Sequence, residues 1–220
     1  MKKIIFLLAI SLCLVGFAQS GITEGVYTSQ QTMSSSNEQM NSQLAMMGDI
    51  ITTTYFKGNK SRSEMSNPMA GNSVTILDYD GNEMIVILDN PMLGKKYMTK
   101  NAEPSEEDLK NITIIKGEEK KIVLGYICDQ YNVVLMKEGV AVQITIYATD
   151  ALSIVSKQNS TLGSDFKGFP MYTETNVSQG GMDMKITHEV TSIKSAEVTA
   201  DKFDMTPPEG YQKTDDLQGM

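Results

Sequence analysis

Tryptophan is missing from these 220 residues, histidine occurs once and cysteine twice. Each shortage closes off some chemistry. With His188 as the sole histidine, a Ser-His-Asp relay would have to use it, and no G-x-S-x-G elbow presents a serine. One histidine and one mature cysteine do not make a tetrahedral structural zinc site without carboxylates. Neither G-x-x-x-x-G-K-[ST] nor G-x-G-x-x-G is present to cradle phosphates. Carboxylates abound, but glycosidases normally add aromatic platforms, and tryptophan is absent. After the first residues no charge-free run reaches the roughly 20 residues of a membrane-spanning helix.

The start of the chain explains the one long apolar stretch. Lys2 and Lys3 precede the apolar Ile4 to Leu14, and Gly16-Phe17-Ala18 places small residues where a signal peptidase cuts. Residues 1–18 therefore read as a signal peptide, with a soluble protein beginning near Gln19, periplasmic or secreted. Leu12 stands where lipidation of Cys13 wants a small residue, so a lipid anchor is disfavoured. Cleavage takes Cys13 and leaves Cys128 alone, which rules out an intramolecular disulfide. The net charge of −8 becomes −10 without Lys2 and Lys3, a balance unsuited to nucleic acid.

What is present is β signal of period two. Asp80-Gly81 supplies a positive-φ turn that joins VTILDY to EMIVIL and predicts a hairpin over Thr75–Leu88. Further hairpins are expected around Glu138-Gly139 and Gly180-Gly181. Met182, Met184, Ile186, His188 and Val190 fall on one face of a strand, opposite Asp183, Lys185, Thr187 and Glu189. Ile144, Ile146 and Ala148 repeat the pattern. Met84–Leu88 and much of Ile122–Cys128 are apolar on both faces, which predicts a sheet middle covered on both sides or lining a cavity.

Helical signal is sparse. Ser35 and Glu38 fit a capping box for a helix over residues 36–47, although the wealth of serine and asparagine equally suits a loop. Pro104 followed by Glu106, Glu107, Asp108 and Lys110 predicts a short helix. Thr149-Asp150 suggests a cap for a third, running to about Gln158. The tail after Tyr211, residues 212–220, reads as flexible.

Four constellations imitate chemistry. Ser164 and Lys167 match S-x-x-K, but Gly163, Gly168 and Pro170 deny the serine a helix start. Asp78, Asp80 and Asn82 resemble the start of a calcium loop, yet Glu83 occupies the obligatory glycine position. Met182 and Met184 beside His188 and Cys128 offer soft ligands for Cu(I), though alternating methionine in a strand is ordinary core filler. Cys128, flanked by apolar residues, reads as a buried structural thiol, and His188 as a buried histidine with one nitrogen satisfied. No catalytic residue, cofactor or metal is expected.

GNKSRSEM (58–65), LDYDGNEMIVILDN (77–90), KKYM (95–98), LGYICDQYNV (124–133), ITIYATD (144–150) and FKGFPM (166–171) occur in an order that resembles domain of unknown function 4412, a family of exported bacterial envelope proteins. The likeness runs from about Gly25 to Tyr211. That family is similar in turn to the periplasmic lipoprotein carriers LolA and LolB, and the resemblance implies a curved antiparallel half-barrel with short helices as a lid over an apolar cavity. Arg62 before Asp80-Gly81 matches the carriers' Arg-bearing strand and D-G hairpin, and is expected at a polar rim.

The expectation is a mainly β (α+β) fold, one LolA-like domain over residues 19–211. It would be a non-enzymatic binding protein holding a lipid or acyl chain on its concave face. The lining expected is Met84, Val86, Leu88, Ile144, Ile146, Met182, Met184 and Ile186. The competing reading is an envelope assembly or scaffolding protein that binds other proteins through a sheet edge or the methionine-rich 40–47 segment.

Overall fold

Runs of β-branched and alternating residues dominate the chain, and strands are what they form. A computed structural model describes residues 21–68, 71–137, 140–163, 166–179 and 182–216, with only the backbone of Lys137, Gln158, Ser160, Gln179 and Met182. The expected signal peptide, the Glu138-Gly139 and Gly180-Gly181 turns and Ser164 lie outside the described residues. No helix among the described residues is long and apolar enough to cross a membrane.

The elements in chain order are β1 (Glu24–Ser35), α1 (Glu38–Met47), β2 (Ile50–Lys57), β3 (Lys60–Asn67), β4 (Gly71–Asp78), β5 (Glu83–Asn90), β6 (Gly94–Lys100), α2 (Glu106–Lys110), β7 (Ile112–Val123), β8 (Tyr126–Lys137), β9 (Val140–Thr149), α3 (Lys157–Leu162), β10 (Phe169–Gln179), β11 (Met182–Ser195), a 3-10 turn at Ala200–Phe203, and β12 (Gln212–Lys213). All twelve strands form one open sheet in the order β12-β6-β5-β4-β3-β2-β1-β11-β10-β9-β8-β7. Every pairing is antiparallel except that of β12 with β6. The fold is mainly β: one curved sheet with a few short helices.

Local irregularity produces the curvature. The register breaks between Thr28 and Ser29 in β1 and between Pro170 and Tyr172 in β10. Such bulges bend a strand and raise its twist. Beside them the rings of Tyr27 and Phe169 meet edge to face, 5.1 Å between centroids, although β11 separates their strands. Strands two apart in a flat sheet stand roughly 9–10 Å apart. Curling inward brings the rings together, over a cluster that also buries Phe56, Cys128, Met171 and Val190.

At the other end of the sheet β5 is buried on both sides, as its unbroken apolar run requires. Met84 and Val86 pack with Leu77, Ala102 and Val155 on the inner face. Ile85 and Ile87 pack with Ile76, Phe203, Met205 and Tyr211 on the outer one. The C-terminal segment is held there by β12, and by Glu24, whose carboxylate accepts from the Val198 N–H at 2.5 Å and from Lys57 Nζ at 3.0 Å. Gln212 and Lys213, placed by the sequence in a flexible tail, thus extend the sheet.

Several local expectations need correction. Asn37, not Ser35, caps α1 by accepting from the Met40 N–H. The third helix begins after Ser156, whose hydroxyl and Asn159 form the capping box, while Thr149 ends β9. In the β4–β5 turn the positive φ belongs to Asn82 (50°), not Gly81, because Asp78 Oδ1 accepts from the Gly81 N–H and fixes that residue otherwise. The second helix is as expected, with Ser105 and Asp108 as its box. Ile122–Cys128 is not covered on both sides. It forms the tip of the β7–β8 hairpin, where Ile122 and Ile127 are 72% and 63% exposed.

Candidate functional site

Strand pairing lines up two transverse rows of side chains on the inner face. Gln31, His188, Thr173, Ile146 and Tyr131 stand opposite one another across β1, β11, β10, β9 and β8. Met33, Ile186, Thr175, Ile144 and Val133 make the next row in the same way. A cavity of about 270 Å³ opens over these rows, bounded by Ile144, Ile146, Ile186, Gln31, Thr173, Thr175 and His188 below and by Lys157, Thr161 and Leu162 of α3 above. The helix is a roof because its Ser156 cap, buried, turns the chain after β9 back over the sheet, and Leu162 packs into the Tyr131–Ile146–Phe166 cluster.

The polar groups of this cavity are incompletely bonded. Thr173 is only 8% exposed, and its hydroxyl has no hydrogen-bond partner among the described residues. Nδ1 of His188, directly across the β10–β11 ladder, has none either. Burial pushes the His188 pKa below its ordinary value, so the ring is neutral at pH 7. Desolvation, with the nearby positive charge of Lys100, lowers that of Lys157. Lys157 is nevertheless reached by solvent. Both observations follow from its place at an open concavity, where protein surrounds the side chain on most sides and the mouth admits water.

Neighbouring cavities share the roof. One of about 800 Å³ is bordered by the loop after β6 and by α2, and its lining mixes Lys100, Glu103, Asp108 and Asn111 with Ile112, Leu135 and Met136. It is larger, but the smaller cavity has the apolar floor and enclosed polar groups expected of a ligand site. Leu162 separates that cavity from a third, of about 330 Å³, lined by Leu109, Ile112 and Ile114.

Of the lining residues expected from the sequence, the structure brings together Ile144, Ile146 and Ile186. Met184 shares their face and borders a cavity at the far strand ends, with Ser35 and Val177. Met182 opens β11, and its side chain is outside the described residues. Met84 and Val86 lie in the closed cluster under Ala102 and Val155, and Leu88 is fully buried. Arg62 faces the outer side, where its Nε donates to Glu64 at 2.6 Å and Nη1 to the Lys202 carbonyl. Lys157, Leu162, Thr173 and Thr175 escaped the sequence reading. MYTETNV carried a signal for the threonines, since both fall at alternate positions with Met171 and Val177.

Cys128 is buried, and desolvation pushes its thiol up to about 11. Among the described residues no cluster of three or more His, Cys, Asp or Glu is placed to hold a metal ion.

No family model matches the chain, and no curated protein matches it. Among solved structures, that of PNGF-II is 18% identical with a TM-score of 0.48, and the likeness covers 87% of this chain and 31% of that one. The chain therefore spans about a third of that protein's length. The Mycobacterium tuberculosis lipoprotein LppX is 6% identical with a TM-score of 0.32, over 79% of this chain and 90% of that one. Both scores fall below 0.5, so the site is read from its own geometry.

Proposed function

We propose that this chain is an exported, non-enzymatic binding protein of the bacterial envelope, of the domain of unknown function 4412 type, which holds an apolar ligand on the concave face of its sheet. The supporting observation is the cavity of about 270 Å³ with a floor of Ile144, Ile146 and Ile186 and a roof of Leu162. Its size is just under the roughly 300–1,000 Å³ of ordinary small-molecule sites, which suits one slender chain. Burying such a chain is worth about 0.8 kcal/mol per methylene.

The test is lipid analysis of protein purified from its native envelope, together with binding of the neutral probe N-phenyl-1-naphthylamine. Wild-type protein should carry apolar molecules and enhance probe fluorescence, and Ile146→Trp, which fills the cavity, should lose both. Absence of ligand and of probe binding in the wild type would end this reading.

A second reading, a scaffold that binds other envelope proteins, is favoured by a separate observation. Helix α1 buries none of its residues, and Met46 is 83% exposed. Crosslinked partners lost on replacing Met46 and Met47 by serine would support it.

A further inference from the structure

Among the described residues, the lining of the cavity under α3 contains no aspartate or glutamate. What it contains instead is hydrogen-bond donors gathered beside an apolar floor. Lys157 brings to the mouth a solvent-reached ammonium group that has no ion pair among the described residues. Thr173 contributes a hydroxyl that is buried and unpartnered, and His188 a ring nitrogen in the same state. Gln31 adds an amide at the end of the same row.

The two buried groups, the Thr173 hydroxyl and Nδ1 of His188, cost free energy unless a partner arrives. A group that answers all of them must accept several hydrogen bonds, carry negative charge and be small. A carboxylate has two oxygens, about four lone-pair sites and no donor of its own. Charge-assisted bonds to it are roughly twice as strong as neutral ones.

Building on the apolar-ligand reading above, we propose that the ligand is a single-chain fatty acid whose carboxylate lies among Lys157, Thr173 and His188, with its hydrocarbon tail over Ile144, Ile146 and Ile186. The ammonium of Lys157 supplies the charge, and the Thr173 hydroxyl donates from the floor. Neutral His188 donates through whichever ring nitrogen holds its proton. Bound carboxylate also offsets the repulsion between Lys157 and Lys100 and returns the Lys157 pKa toward its ordinary value.

Displacement of N-phenyl-1-naphthylamine from the full processed chain by decanoic acid, decanol and methyl decanoate at pH 7.4 tests this. The acid should displace the probe at a concentration roughly tenfold or more below that needed for the alcohol and the ester. Lys157→Gln should erase that preference, Lys157→Arg should keep it, and Thr173→Val, equal in volume, should weaken the acid more than the alcohol. Equal displacement by acid and alcohol in the wild type, or a preference that survives Lys157→Gln, overturns the carboxylate site while leaving the apolar cavity standing. Failure of the probe to bind the wild-type protein at all overturns both.

Discussion

Tyr27 of β1 and Phe169 of β10 touch edge to face across the strand that separates them, with ring centroids 5.1 Å apart. This contact closes the curl of the sheet between the two bulges, and Phe169 is fully buried. Phe169→Ala should lower stability by roughly 3–5 kcal/mol. Urea unfolding followed by circular dichroism measures it, and a loss below about 1 kcal/mol would mean that the curl does not depend on this ring.

At Gly25 the backbone of β11 leaves β1 no room for a side chain. A Cβ added there would stand 2.2 Å from the Lys194 carbonyl oxygen and 3.1 Å from the Phe56 ring. Gly25→Ala should therefore cost about 1–3 kcal/mol through overpacking, or a drop in Tm of roughly 2–4 °C per kcal/mol for a domain of this size. An unchanged melting curve would contradict this crowding.

Acid should find His188. Its folded pKa lies below the unfolded value of 6.5 because burial disfavours the charged ring. Above pH 6.5 both states are neutral and the residue contributes no pH dependence. As pH falls below 6.5 the unfolded chain takes the proton first, so stability declines until the folded pKa is passed. His188→Gln should flatten this part of the stability profile. Carboxylates with lowered pKa, such as Asp78 beside Lys60, contribute their loss at lower pH, below the ordinary value of 3.8.

Cys128 should resist labelling. Its pKa of about 11 and its burial leave almost no accessible thiolate at pH 8. In a Cys13→Ser background, Ellman's reagent should react with native protein far more slowly than with protein in urea. Equal rates would show that the Tyr126–Val123 corner opens readily.

The apolar tip of the β7–β8 hairpin offers a contrast. Ile122 and Ile127 pair directly and are exposed, so replacing both by threonine should change stability by no more than about 0.5 kcal/mol per site. A larger loss in urea titration would place them in a core.

Strand and hairpin positions were legible because their causes are local. Alternation from Met184 to Val190 follows from the period-two geometry of a strand, and the double-sided burial of β5 follows from an unbroken apolar run. Pro104 and the charges of Glu106, Glu107, Asp108 and Lys110 announced α2 because these start and stop signals lie within one short segment. The same kind of reading failed at Ile122–Cys128, since an apolar run at a hairpin tip has the composition of a buried strand and only its place in the sheet exposes it.

The sequence by itself determined that this chain would be a sheet protein, with Ile144, Ile146 and Ile186 on faces that need covering. Only the tertiary structure decided which residues meet them. Strand order sets β11 between β1 and β10, so Gln31, His188 and Thr173 form one row although 142 positions separate Gln31 from Thr173 in the chain. The Ser156 cap then sets α3 above that row and brings Lys157 to a cavity with no carboxylate among its described lining residues. Side-chain periodicity is a property of each strand alone, whereas a binding site depends on which strands are neighbours and on what crosses above them.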